Sequence, residues 1–197
     1  MKSPLAIVLG IILFIIVICG IGSCNSYNSI VRLDQNAQSK WGTVQTDYQR
    51  RADLVPNLVA TVKGVANFEK STLVDVTEAR AKATSIQVDP TKLTPETIQK
   101  YQAAQGQLST ALGRLLVAAE NYPQLKATEN FSGLQAQLEG TENRIAVSRR
   151  DFNDAVQEYN TKIKSFPSNF IAGLGGFTTK GYFQADAASA NAPKVQF

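Results

Sequence analysis

The polar clusters that could carry chemistry in this chain are built on arginines, carboxylates and carboxamides, since its 197 residues include no histidine and only two cysteines. Without histidine the commonest general base, transition-metal ligand and physiological-pH switch are all missing. Cys19 and Cys24 both lie in or beside an apolar N-terminal segment. The rest of the chain therefore holds no thiolate nucleophile, disulfide framework or cysteine zinc site. A ferritin-like metal site needs Glu-x-x-His pairs and is excluded on the same ground. We accordingly expect no catalytic residue, no metal and no cofactor. The polar residues that do cluster fall in two blocks. Arg50-Arg51 and Asp53 precede Pro56, and Glu142, Asn143 and Arg144 sit inside a strong helical pattern, with Arg80 between the blocks. On a helix Glu142 shares a face with Arg149, and Asn143 with Arg150, each seven residues on. Guanidinium forks pair bidentately with carboxylates, so Arg51, Arg80 or Arg144 could receive an anionic small molecule. The ordinary reading of Arg51, Asp53, Arg80, Glu142, Asn143 and Arg144 is a half-buried polar network that fixes helix register. On that reading Arg144→Ala leaves a buried partner unpaired and costs ~3–5 kcal/mol.

The elements that would position these residues are helices. Ile30, Leu33, Ala37, Trp41, Val44 and Tyr48 recur at spacings of three and four, and a second stripe runs through Val55, Leu58, Val62, Leu73 and Val76. Pro56 lies between the stripes, where we expect a kink or break, with Asp53 as a cap. Asp89-Pro90 and Thr94-Pro95 mark a loop followed by an N-cap with proline at the first helical position. A third helix carries Ile98, Tyr101, Leu108, Leu112, Leu115 and Ala119 and ends at Tyr122-Pro123. A fourth begins near Phe131 or Ser132, carries Leu134, Leu138, Ile145, Phe152, Val156, Tyr159, Ile163 and Phe166, and stops at Pro167. No segment longer than a few residues alternates with period two. The fold class expected is all-α, an N-terminal transmembrane helix followed by an antiparallel bundle of long helices and an irregular C-terminal tail. The aromatic residues on these stripes read as core.

Residues Leu5 to Ile21 carry no charge, and 13 of the 17 are large and apolar. At their usual transfer values these favour membrane insertion by about 4–8 kcal/mol. We read residues 1–24 as an uncleaved anchor. The alternative is a lipoprotein signal, because Ile21-Gly22-Ser23-Cys24 has the form of a lipobox in which Cys24 is acylated. The lipid bilayer is a partner in either case. Lys2 before the span, against Arg32 and Lys40 after it, leaves the positive-inside bias nearly balanced. The short N-terminal flank favours a signal anchor with the domain outside the cytoplasm. Lys plus Arg is 20 and Asp plus Glu is 16, evenly spread, which is too mild a surplus for a nucleic-acid partner.

Several ordered blocks resemble the LemA family of bacterial membrane proteins. They include Tyr27-Asn28-Ser29-Ile30-Val31, the run Gln49 to Val59, Thr77-Glu78-Ala79-Arg80-Ala81, Tyr122-Pro123-Gln124-Leu125-Lys126, Gly140 to Val147, Tyr159-Asn160-Thr161-Lys162-Ile163, Phe166-Pro167-Ser168-Asn169 and the ending Ala192 to Phe197. The resemblance runs from Tyr27 to the C-terminus. It implies one N-terminal membrane helix in the bacterial cytoplasmic membrane, an antiparallel helical bundle and no established enzymatic activity. The N-terminal cysteines depart from the family's habit.

The chain thus divides into an anchor (1–24), a helical bundle (25–171), and a Gly-rich turn with an extended tail (172–197). The cluster Gly173, Gly175 and Gly176 follows no strand and is not a phosphate cradle. The tail reads as extended or mobile unless something orders it. Across the C-terminal segment Asn169 to Phe197, Phe170, Ile171, Leu174, Phe177, Tyr182, Phe183, Val195 and Phe197 have no place in a bundle stripe. They must fold back on the bundle or dock on a neighbouring subunit, and tethering to a membrane favours the second. We therefore expect a homo-oligomer, with other membrane proteins as further candidate partners. The function expected is a non-catalytic, membrane-anchored scaffold at the cell envelope. The alternative is a sensor bundle that binds an anionic small molecule.

Overall fold

The computed structural model describes residues 4–65 and 68–185; within its first helix the side chains of residues 4–8, 12, 15, 16, 18, 19 and 21 are outside that description. The described residues form six helices and no strand: α1 (Pro4–Lys63), α2 (Lys70–Ser85), α3 (Pro95–Ala119), α4 (Pro123–Lys126), α5 (Glu129–Lys164) and α6 (Ser168–Leu174). The chain is all-α, as its periodicity dictates.

The break expected at Pro56 does not occur. α1 runs through this residue without a break and ends only at Lys63, before Gly64. A proline inside a helix deprives the carbonyl four residues earlier of its amide donor. Here that carbonyl, Ala52 O, accepts instead from Nε of Arg80 on α2 at 2.8 Å. A tertiary hydrogen bond thus replaces the helical one. The caps follow local chemistry. The Thr94 hydroxyl accepts from Thr97 N with Pro95 at the first helical position, and the Thr128 hydroxyl accepts from Phe131 N. The second cap starts α5 at Glu129, slightly earlier than the apolar stripe indicates.

α1 and α5 are antiparallel, as successive pairs show: Lys40 meets Asp151 at 3.0 Å, and Arg51 meets Glu142 at 2.6 Å. The α2–α3 hairpin packs beside them, with Gln105 Nε2 donating to Ala83 O and Arg114 3.6 Å from Asp75. Three apolar layers stack along α1. The first holds Ile30, Tyr159, Ile163 and Ala172. The second holds Trp41, Val44, Tyr48, Tyr101 and Phe152, and the third Val55, Leu58, Val62, Leu108, Leu115 and Phe131.

The expected boundary at residue 171 falls inside α6, and the segment after it is ordered up to residue 185. Residues 177–185 lie extended along the bundle and bury Phe183 and Lys180. The apolar residues without a stripe are thus partly absorbed by the chain's own bundle, one of the two outcomes expected for them, whereas Phe166, expected in the core, stands exposed beyond the end of α5. Val195 and Phe197 lie outside the described residues, as does most of the side-chain content of the expected anchor. Among the described residues no helix is long and apolar enough to cross a membrane. Leu9, Ile11, Leu13, Phe14 and Val17 of α1 all stand exposed.

Candidate functional site

Two polar assemblies interrupt the apolar interior. The first is centred on Arg51, which α1 places between the second and third apolar layers with 1% of its surface exposed. Its Nη1 donates to Ser109 Oγ and Glu142 Oε1, both at 2.6 Å, and its Nη2 donates to the main-chain and side-chain oxygens of Gln105 at 3.1 and 2.8 Å. The guanidinium lies 5.0 Å from the Tyr48 ring centre. Its Nε has no partner among the described residues. One buried cation thus ties α1 to α3 and α5, while Glu142 reaches it from a half-exposed position. Burial and the neighbouring Tyr48 hold the Tyr101 hydroxyl well above its ordinary pKa, opposed by Arg51 and a hydrogen bond with Gln105.

The other residues of the expected network are placed differently. Arg80 bonds Ala52 O beside this layer without joining Glu142. Asp53 is exposed and accepts from Gln49 Nε2 at 2.7 Å along its own helix, so it caps nothing. Asn143 and Arg144 are exposed, on the side of α5 away from Thr141 and Ile145. Arg144 has no partner among the described residues, against the expectation that its removal leaves a buried partner unpaired. A helix that buries Thr141, Ile145 and Ser148 must turn the intervening positions outward. Cys24 is a free, exposed thiol on α1.

The second assembly holds the extended segment 177–185, and sequence reasoning missed it. Asn160 Nδ2 donates to Lys180 O and its Oδ1 accepts from Lys180 N, both at 2.9 Å. Asn153 does the same with Phe183, also at 2.9 Å twice. Gln102 of α3 repeats the pattern with Gln184, at 2.9 and 3.0 Å. Each carboxamide exchanges both hydrogen bonds with one residue, as a paired strand does. Arg149 Nη2 adds a bond to Gln184 O, Tyr159 Oη donates to Thr178 O, and Gly181 N donates to Leu93 O at 2.8 Å. These contacts recognise main chain and leave the identity of the side chains to pockets.

The pockets are specific. Phe183 enters the second apolar layer, its ring centre 5.9 Å from Trp41 and 5.6 Å from Phe152, beneath the Arg149 guanidinium. Lys180 is 7% exposed, pairs with Asp34 at 2.8 Å and lies over the Tyr159 ring. Burial, and then the Asp34 carboxylate, raise the Tyr159 hydroxyl to about 12. Gly181 passes so close to Pro95 that an added Cβ would sit 2.6 Å from its Cα. A signal was present in the sequence. Asn153 and Asn160 stand seven apart in a helix interior, where asparagine is a poor helix former unless its side chain has other work.

A family model described as the LemA family matches residues 40–197. Among curated proteins, magnetosome protein MamQ 2 of Paramagnetospirillum magneticum is 28% identical over 179 residues, which is 82% of this chain and 66% of that protein. Magnetosome protein MamQ of Magnetospirillum gryphiswaldense is 27% identical with the same coverage. Protein LemA of Metamycoplasma hominis is 27% identical over 158 residues, 80% of this chain and 68% of that protein. The chain thus spans slightly less than two thirds of the length of the MamQ relatives.

Proposed function

This chain belongs to the LemA family, and on that premise we propose that it is a non-catalytic scaffold, anchored in the bacterial cytoplasmic membrane by its N-terminal helix. Its working surface is the carboxamide-lined groove on α3 and α5. The observation that carries this reading is the triple exchange of hydrogen bonds by Gln102, Asn153 and Asn160 with an extended segment. Such a groove joins segments of chain, and here it holds the chain's own tail. Gly175 and Gly176, the latter at φ +71°, supply a hinge just before that tail. Exchange of an identical element between copies is a low-cost route to assembly. Tethering in one membrane raises the effective concentration of neighbouring tails. The apolar run Leu5–Ile21, continuous with α1, supports the anchor, and the short flank with Lys2 supports a domain on the periplasmic side.

The sensor alternative has less behind it. Arg51 is buried and committed, Arg80 Nε serves Ala52 O, and Arg144 faces solvent away from both. These guanidiniums do not form one receiving site.

The test uses full-length protein in which Cys19 and Cys24 are serine. One tagged copy carries Gln102→Cys and a second, differently tagged copy carries Gln184→Cys. The two are co-expressed and treated in membranes with a short bismaleimide. A cross-link between the two tags is expected. A cross-link formed only when both cysteines are in one chain would show that the groove serves its own tail alone, and would remove assembly by exchange.

A further inference from the structure

The corner between α5 and α6 exposes what the rest of the bundle buries. Phe166, Phe170 and Leu174 are 81, 64 and 89% exposed. They follow one another at intervals of four, and the rings of Phe166 and Phe170 meet at 6.0 Å. On the opposite side of α6, Ser168 and Ala172 are buried against α1 and α5. Ile171 packs on the first apolar layer, but the other large apolar residues of this corner point outward. A contiguous patch of this kind marks a contact with another apolar phase or partner.

Its place along α1 identifies the partner. The tail tracks α1 step by step: Phe177 lies on Tyr27, Lys180 on Asp34 and Phe183 on Trp41. Three extended residues and seven helical residues each advance about 10 Å, so the two run parallel. α5 descends in the opposite sense, with Ile163 in the layer of Ile30. The corner from Ser165 to Gly176 joins the end of α5 to the start of the tail. It therefore lies at or beyond the level of Tyr27, at the end of the bundle nearest the N-terminal apolar run. Tyr27 follows Ile21 by six residues, about 9 Å of helix rise. A headgroup layer is about 5–8 Å deep on each side of the hydrocarbon. Tyr27 is itself half exposed, as suits an aromatic residue at that level. Lys162 and Lys164 close the last turn of α5 beside the patch, where cations meet anionic headgroups.

We propose that the α5–α6 corner is a second membrane contact, inserting Phe166, Phe170 and Leu174 into the headgroup boundary of the bilayer that receives the N-terminal helix. The inference rests on the anchor reading. It adds that the bundle stands directly on the membrane, held at two points, with its tail groove pointing away.

The experiment places an environment-sensitive fluorophore on Leu174→Cys, on Phe14→Cys and on Val117→Cys in the full chain lacking Cys19 and Cys24. Each protein is reconstituted in vesicles of phosphatidylcholine and phosphatidylglycerol. Nitroxide lipids carry the quencher either just below the headgroup or deep in the acyl chains. The label at Leu174 is expected to be blue-shifted and quenched by the shallow nitroxide, that at Phe14 by the deep one, and that at Val117 by neither. Quenching at Phe14 without quenching at Leu174 overturns the corner contact and leaves the anchor standing. Quenching at neither overturns both. A blue shift at Leu174 that resists both nitroxides and fades as protein is diluted in lipid assigns the patch to a second copy of the chain, and also overturns the proposal.

Discussion

Arg80 supplies to Ala52 the hydrogen bond that Pro56 cannot. Its Nε donates to Ala52 O at 2.8 Å, the carbonyl four residues before the proline, and α1 continues unbroken to Lys63. The pair couples the longest helix to α2 at the one point where its own ladder has a gap.

The coupling is measurable as a double-mutant cycle. Arg80→Leu in the natural chain should cost ~1–3 kcal/mol, the penalty for an acceptor left without a partner. In a Pro56→Ala background the helix restores its own donor, and the same substitution should cost less, by ~1 kcal/mol or more. Urea denaturation of the four proteins gives the values. Equal costs in both backgrounds would mean that Arg80 acts only through its packing.

Asn160 holds both main-chain groups of Lys180, in a position where Asn160 is 5% and Lys180 7% exposed. Asn160→Ala leaves two such groups without their partners and should destabilise by ~2–4 kcal/mol. Limited proteolysis should then cleave between Gly176 and Gln184, where the native protein resists. Stability loss without new cleavage in this segment would place the effect elsewhere.

Two glycines give opposite signs for one substitution. A Cβ at Gly181 meets Pro95 Cα at 2.6 Å and Pro95 N at 2.8 Å, so Gly181→Ala should displace the tail and cost ~1–3 kcal/mol. Gly106 lies inside α3 with nothing within 4 Å, and Gly106→Ala should stabilise by ~0.5–1 kcal/mol. Thermal melts distinguish them directly.

Arg51 and Arg144 separate in the same way. Arg51→Ala leaves the buried Gln105 oxygens unpaired and a cavity at a fully buried position, and should cost ~2–4 kcal/mol. Arg144→Ala at the exposed face of α5 should change stability by less than ~0.5 kcal/mol. Chemical denaturation of both variants checks the contrast.

The raised hydroxyl of Tyr159 sets an alkaline limit. Its folded pKa of about 12 lies above the ordinary 10.0. Between these values the unfolded chain releases a proton that the folded chain keeps, so its contribution to stability is whole below pH 10 and is lost as pH rises towards 12. Absorbance titration at tyrosinate wavelengths should show late titration from both Tyr159 and Tyr101, of which Tyr159→Phe removes one part. Titration of every tyrosine near its ordinary pKa would contradict the burial described.

Most helices, the Thr94 cap and most of the apolar stripes were legible in the sequence because they depend on spacing and on neighbours a few residues away. Thr94-Pro95 starts α3, and Trp41, Tyr101, Phe152 and Tyr159 are core, for reasons contained in each segment. The absence of histidine and the clustering of Arg51 with Glu142 could likewise be read from residue types and periods. Three features depended on residues distant in the chain. Pro56 breaks a helix by local rules, and only a donor 24 residues later, Arg80, cancels that rule. Arg144 looks like a member of the polar block, and only the rotation of α5 that buries Thr141 and Ile145 turns it to water. The tail has neither helical period nor strand partner, so propensity leaves it unassigned. Its order comes from carboxamides 20 to 82 residues away, which complete its main-chain hydrogen bonds as a neighbouring strand would. Local sequence fixes what a segment can form alone; where its unpaired polar groups find partners is decided when the helices pack.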